Sequence, residues 1–214
     1  MSTFRFAGAV FDLDGTLVQS EHLHRRSWME PLAEKGAAID DDAYLRDFAG
    51  KPGMEIIREQ FGLEGEAAIA LYNQVTDAYW TMAIEEVAPT EGLLAFLDRI
   101  AGTKTAVCTS AQRASAMKML DLLHLTPRFD AVVTATDVVR GKPDPEPFVQ
   151  AAERIGLSGE ECAAFEDSAS GLIAARAAGM RCVGIGAGES VYRDLADIWI
   201  ADFTDPALEE LFQP

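Results

Sequence analysis

Apolar residues follow two rhythms along this chain. A short run, Phe6-Ala7-Gly8-Ala9-Val10-Phe11, is followed at once by polar and turn-forming residues, the pattern of a strand buried on both faces. From Gln19 to about Val87 the pattern changes to helical spacing, as in Leu23, Ser27, Trp28 and Leu32, then Ile69, Tyr72, Val75, Tyr79 and Met82. This stretch predicts an all-helical insert of about four helices. Its breaks fall at Gly36, at the acidic cap Asp40-Asp41-Asp42, at Gly50-Lys51-Pro52-Gly53 and at Gly62-Leu63-Glu64-Gly65, and Pro89-Thr90-Glu91-Gly92 closes it.

Beyond residue 90 strands and helices alternate. A helix near 91–101 precedes a strand at Lys104-Thr105-Ala106-Val107-Cys108, and a helix near 111–123 precedes one at Asp130-Ala131-Val132-Val133-Thr134. A helix then follows Pro143-Asp144-Pro145, with strands at Cys162-Ala163-Ala164-Phe165, Arg181-Cys182-Val183-Gly184-Ile185 and Ile198-Trp199-Ile200, and a helix over 169–178. Short connections favour a parallel α/β sheet with right-handed crossovers, which binds ligands at the carboxyl ends of its strands. The division expected is a core of residues 1–18 and 89–214 and a helical domain of 19–88.

The unusual polar residues sit where that rule places a ligand. Strand one ends in Asp12-Leu13-Asp14-Gly15-Thr16, strand two in Thr109-Ser110 and strand four in Glu166-Asp167-Ser168, while Lys142 lies a few residues past strand three in Arg140-Gly141-Lys142-Pro143. Parallel strands gather these ends into one place holding several carboxylates, two hydroxyls and an ammonium. Such hard oxygen donors suit Mg2+, which takes one or two carboxylates together with a phosphate and keeps several waters. Asp12 and Asp14, two apart at a strand end, point to the same side, and Gly15 can turn the chain directly after them. One carboxylate can attack phosphorus while the other handles protons. Thr109 and Ser110 can donate to the transferring group, and Lys142 can neutralise the charge on its oxygens.

Composition narrows the partners. The formal charge of −17 and pI near 4.4 repel nucleic acid and anionic membranes. No apolar stretch approaches the ~20 residues of a membrane span, and the start Met1-Ser2-Thr3-Phe4-Arg5 lacks a signal-peptide pattern. A cytoplasmic protein is expected, a monomer or weak homo-oligomer. Cys108, Cys162 and Cys182 are odd in number and set in apolar runs, so buried thiols are expected. A calcium loop is excluded because its sixth and twelfth positions, which require Gly and Glu, are Leu17 and Leu23.

Together, Asp12-Leu13-Asp14-Gly15-Thr16, Thr109-Ser110, Gly141-Lys142-Pro143 and Phe165-Glu166-Asp167-Ser168 resemble the four motifs of the haloacid dehalogenase superfamily in order and spacing. The resemblance implies a Rossmann-like core with a helical cap inserted after the first strand, nearest the β-phosphoglucomutase and sugar-phosphatase branch. It also implies that Asp12, the backbone carbonyl of Asp14, and Asp167 hold Mg2+, with Glu166 close by or ligating. Thr16, Ser110, His24, Lys51 and Arg113 are the substrate-binding candidates. His24 and Trp28 align with a cap histidine and tryptophan of the mutases and share a helical face. Gly53, however, stands where those mutases carry a phosphate-clamping arginine, and Gln112-Arg113 replaces their lysine-asparagine pair. The expected activity is therefore hydrolysis of a small phosphorylated metabolite, a sugar phosphate or sugar-acid phosphate, through an aspartyl-phosphate. The alternatives are a β-phosphoglucomutase-like phosphotransferase, a dehalogenase, against which Asp14 speaks, and a non-catalytic metabolite-binding module.

Overall fold

The computed structural model describes residues 6–34, 40–48, 51–186, 192–209 and 211. The breaks read at Gly36 and Gly50 and the segment Met1–Arg5 lie outside these. The chain divides into two compact units, residues 1–19 with 88–214 and residues 20–87.

The second of these units contains α1 (Glu21–Glu34), α2 (Asp41–Asp47), α3 (Gly53–Ile56) running into a π-helical turn (Ile57–Phe61), and α4 (Gly65–Glu86). Asp40 caps α2 by accepting from the Ala43 amide at 2.8 Å, and Gly62 ends the π turn in the left-handed region at φ +62°. Its core gathers Trp28, Leu32, Tyr44, Phe48, Ile57, Phe61 and Val75. The buried stripe of α4 is Ala68, Val75, Tyr79 and Ala83, while Ile69 and Tyr72 are exposed. The stripe is thus displaced by one position at each end from the one that large apolar residues predict. Small alanines let α1 and α4 approach closely, which a count of bulky side chains does not register. At Gly53 a Cβ would stand 2.9 Å from the Tyr72 ring, so a side chain there requires the ring to move.

The other unit is built on six strands: β1 (Gly8–Phe11), β2 (Lys104–Cys108), β3 (Ala131–Val133), β4 (Cys162–Glu166), β5 (Arg181–Ile185) and β6 (Ile198–Ile200). They form one parallel sheet in the order β3-β2-β1-β4-β5-β6. Its helices are α5 (Leu93–Arg99), α6 (Arg113–Leu122), α7 (Glu146–Arg154) and α8 (Ala169–Ala177), joined by short 3-10 turns such as Gly159–Glu161. The strand order reverses direction at β1, whose neighbours are β2 on one side and β4 on the other. A crevice at the carboxyl ends is the expected ligand site of such a sheet.

Alternation along the central strands sorts the core. Val10, Ala106, Cys108, Ala164 and Cys182 pack with Phe148 of α7 and Leu172 of α8, all of them buried. Phe11 and Phe165 stack at 4.7 Å between ring centroids, with Phe96 of α5 and Phe203 against them. The register pairs Phe11 with Val107 and with Phe165. Asp12, Cys108 and Glu166, one residue further on, therefore emerge level with one another.

Candidate active site

Asp12 follows β1 directly and is buried, its backbone N–H donating to the Phe165 carbonyl at 2.9 Å. The chain then turns within five residues. Leu17 and Val18 donate to the Leu13 carbonyl at 2.9 and 3.1 Å, and Gly15 donates to the Val18 carbonyl at 2.7 Å. Gly15 has φ +83°, and a Cβ on it would collide with the carboxylate of Asp167. Both the backbone conformation and the close approach require glycine here.

Lys142 comes from the long connection after β3. Asp137 fastens the start of that connection, accepting from the Thr134 amide at 2.9 Å, the Thr134 hydroxyl at 2.6 Å and Arg154 at 2.9 Å. Burial alone would raise the Asp137 pKa, but the Thr134 and Arg154 hydrogen bonds outweigh it and hold the carboxyl down at about 2. Glu146 fastens the far end by accepting from the Val139 and Arg140 amides at 2.8 and 3.1 Å. The loop thereby delivers Lys142 Nζ to 2.6 Å from both Asp12 Oδ1 and Glu166 Oε1, with its side chain almost wholly buried. Desolvation would lower the ammonium pKa, yet the Asp12 and Glu166 charges hold it well above its ordinary value. The two carboxylates thus favour the ammonium form of Lys142.

Glu166 is the last residue of β4, and both its oxygens are engaged. Oε1 takes Lys142, and Oε2 accepts from the Ser168 amide at 2.7 Å and the Ser168 hydroxyl at 2.9 Å. The first turn of α8 presses on it from behind, since a Cβ at Gly171 would overlap the carboxylate. Asp167 lies beside this group, partly buried.

Asp12, Glu166 and Asp167 each offer a carboxylate oxygen, and these atoms lie within 4.8 Å of one another. Three carboxylates against one ammonium leave two negative charges in excess when all are ionised. Burial raises the pKa of Asp12 to about 7, against the pull of Lys142 and with the repulsion of Glu166. Burial, together with the Asp12 and Glu166 charges, raises Asp167 to about 9. Such a cluster is costly without a further cation. An all-oxygen donor set with a two-charge deficit fits a hard divalent ion.

The remaining candidates are placed as follows. Thr109 is buried beyond β2, its amide donating to Val133 and its hydroxyl accepting from the Ala111 amide at 3.0 Å, which leaves the hydroxyl a proton to donate. Ser110 is exposed beside it. Thr16 is fully buried, and its hydroxyl has no hydrogen-bond partner among the described residues. Arg113 is half-exposed and pairs with Asp137 at 3.4 Å. His24 and Lys51 belong to the helical unit, where the His24 ring stacks on Tyr79 at 4.2 Å and Lys51 pairs with Glu59 at 3.0 Å. Trp28 is a core residue of that unit. Cys108 is buried and its thiol is pushed up to about 12 by desolvation, so it is no nucleophile. Sequence reasoning did not foresee Ser168 and Gly171 as the supports of Glu166, although the short polar run Ser168-Ala169-Ser170-Gly171 after a strand signals a tight helix start. It also did not foresee Asp137 as the anchor of the lysine loop.

The sheet order and the carboxylates and ammonium gathered at its strand ends define an α/β protein with an anionic site fit for a cation. The haloacid dehalogenase-like hydrolase family model matches residues 6–179, and the chain belongs to that family. It is 35% identical over 188 residues to the fructose-1-phosphate phosphatase of Escherichia coli, covering 85% of this chain and 97% of that protein. It is 34% identical over 181 residues to the validoxylamine A 7'-phosphate phosphatase of Streptomyces hygroscopicus subsp. limoneus, covering 83% and 84% of the two chains. A haloacid dehalogenase family hydrolase from Deinococcus radiodurans, solved with bound phosphate and sodium, superimposes with a TM-score of 0.80 at 26% identity over 99% of each chain.

Proposed function

We propose that the protein is a Mg2+-dependent phosphomonoesterase acting on a small phosphorylated metabolite, a sugar phosphate or sugar-acid phosphate. The observation that carries this reading is Lys142, held at 2.6 Å from both Asp12 and Glu166 with Asp167 alongside. An ammonium bonded to the attacking carboxylate is placed to receive the anionic oxygens of the group that carboxylate attacks. The names of the two phosphatase relatives support a sugar-like ester.

In this reading an oxygen of Asp12 attacks phosphorus, the bond from phosphorus to the ester oxygen breaks, and Asp14 protonates the departing alkoxide. Asp14 then takes a proton from water as that water attacks phosphorus and the bond from phosphorus to the Asp12 oxygen breaks, which releases inorganic phosphate and restores the Asp12 carboxylate and the Asp14 acid. Lys142 neutralises charge on the phosphoryl oxygens in both steps, and the Thr109 hydroxyl donates to them. Asp12, Asp167 and the Asp14 carbonyl would hold Mg2+, with Glu166, already engaged by Lys142 and Ser168, contributing charge from beside it. When bound, the ion supplies Lewis-acid polarisation of the phosphoryl group.

A mutase must grip a phosphate at each end of a bisphosphate. Gly53, backed closely by the Tyr72 ring, offers no cation at the position of the mutase arginine. Water is therefore the acceptor in this reading.

The test is phosphate release from a panel of alkyl phosphomonoesters, including fructose 1-phosphate, by purified protein with Mg2+. Turnover that vanishes in Asp12→Asn is expected. No release from any ester, or unchanged release by that variant, refutes the reading.

A further inference from the structure

Thr90 lies in neither strand nor helix and far in sequence from the reactive carboxylates, yet it is buried and both its amide and its hydroxyl face the turn after Asp14. The hydroxyl donates to the Thr16 carbonyl at 2.7 Å and the amide to the Leu17 carbonyl at 2.9 Å. The same hydroxyl accepts from Gln19 Nε2 at 3.3 Å, and Gln19 Nε2 also donates to the Gly15 carbonyl at 2.9 Å. Three consecutive carbonyl groups, those of Gly15, Thr16 and Leu17, are therefore held by one pair of residues. Val18 pairs with Pro89 in an antiparallel bridge that sets the two segments side by side.

These contacts fall on the three residues that directly follow Asp14. The turn's own hydrogen bonds run inward, from Leu17 and Val18 to Leu13 and from Gly15 to Val18. They leave the outward carbonyls of residues 15–17 to be satisfied by something else. A buried carbonyl left without a donor would reorient its peptide plane or recruit water. Either response shifts the backbone immediately after Asp14, whose carboxyl must meet the leaving oxygen within hydrogen-bond reach.

We propose that Thr90, supported by Gln19, is a positioning residue for Asp14 that fixes it for proton transfer. The proposal rests on the phosphomonoesterase reading above. It separates two kinds of ester. An alkyl ester leaves as a strongly basic alkoxide and needs the proton, whereas p-nitrophenolate leaves as a stable anion and does not.

The experiment compares kcat/KM, with Mg2+, for the best alkyl ester of the phosphatase panel and for p-nitrophenyl phosphate. Thr90→Val keeps the shape and removes the hydroxyl. It is expected to lower kcat/KM for the alkyl ester about 30-fold and for the aryl ester less than about threefold, a fraction of the ~10²–10⁴ that a general acid contributes. Thr90→Ser, which keeps the hydroxyl, should restore the alkyl ester to within about threefold of wild type. A melting curve identifies a Thr90→Val protein that fails to fold. In that event Gln19→Ala, at an exposed side chain, is expected to show the same selective loss at about fivefold. Equal losses on both esters, no loss, or a serine variant as poor as valine overturns the proposal and leaves the phosphatase reading standing. A wild-type protein that hydrolyses neither ester overturns both.

Discussion

The backbone of Gly15 lies so close to the carboxylate of Asp167 that a Cβ on it would overlap Oδ2. One end of the turn after Asp14 thus forms the wall against which a metal-binding candidate rests. Gly15→Ala is expected to push Asp167 aside and to strain a backbone at φ +83°. Mg2+ affinity should fall about 10- to 100-fold, the effect usual for displaced support of a ligand. Calorimetric titration with MgCl2 measures it, and unchanged affinity would show that Asp167 is not a ligand.

Lys142 bridges two carboxylates that otherwise repel. Lys142→Met is expected to lower kcat for phosphate release by about 10²–10³, the range seen when one donor to transition-state charge is removed. Lys142→Arg should not rescue it, because the larger guanidinium has no space between Asp12 and Glu166.

Stability of the metal-free protein should depend on pH in a stated direction. The carboxyls of Asp12 and Asp167, at about 7 and about 9, hold protons in the folded state that they release near 3.8 when unfolded. Between these values the folded state binds more protons, so stability falls as pH rises from about 4 towards 9. In the proposed reading Mg2+ binds the ionised carboxylates and should reverse the trend. Thermal melts at about pH 6 and pH 8.5, with and without MgCl2, should show a lower metal-free Tm at the higher pH and a larger Mg2+-induced rise there. A Mg2+ effect equal at both pH values would count against these two carboxylates as ligands.

Asp137 gives the opposite sign. Its folded-state pKa of about 2 lies below the ordinary 3.8, so its contribution is present above about pH 4 and is lost as pH falls towards 2. Asp137→Ala should cost about 2–4 kcal/mol near neutrality by removing hydrogen bonds to a charged group. Urea unfolding at about pH 7 and pH 2.5 should show the gap between wild type and variant closing in acid. A gap that stays constant would mean that packing, not charge, is what the substitution removes.

The strands β2 and β5 fall where apolar runs placed them, because a strand buried on both faces is written in consecutive residues, and the partly buried edge strand β6 also matches its short apolar run. β4 extends one residue further than its apolar run, and that residue is Glu166, kept in register by pairing with Gly184. The motif residues Asp12, Lys142, Glu166 and Asp167 were legible as a cluster since parallel strands end on one side. What held them was not. Thr90 and Gln19 stand 71 residues apart, and no local pattern marks either as a support of the turn. Arg113 is a substrate-binding candidate by sequence, but its partner Asp137 lies on another connection. The α4 stripe differs at its ends because close helix packing favours alanine over the bulkier Ile69 and Met82.

All three thiols, Cys108, Cys162 and Cys182, are buried, and desolvation raises their pKa values to about 12, 11 and 11. The wild-type chain should consequently be silent to maleimide dyes and spin labels under native conditions. A pair of introduced cysteines, Glu66→Cys on the exposed side of α4 and Ala114→Cys on the exposed side of α6, would then carry the only reporters. With no background to subtract, spectroscopic ruler measurements could follow the separation of the two units as substrate is added.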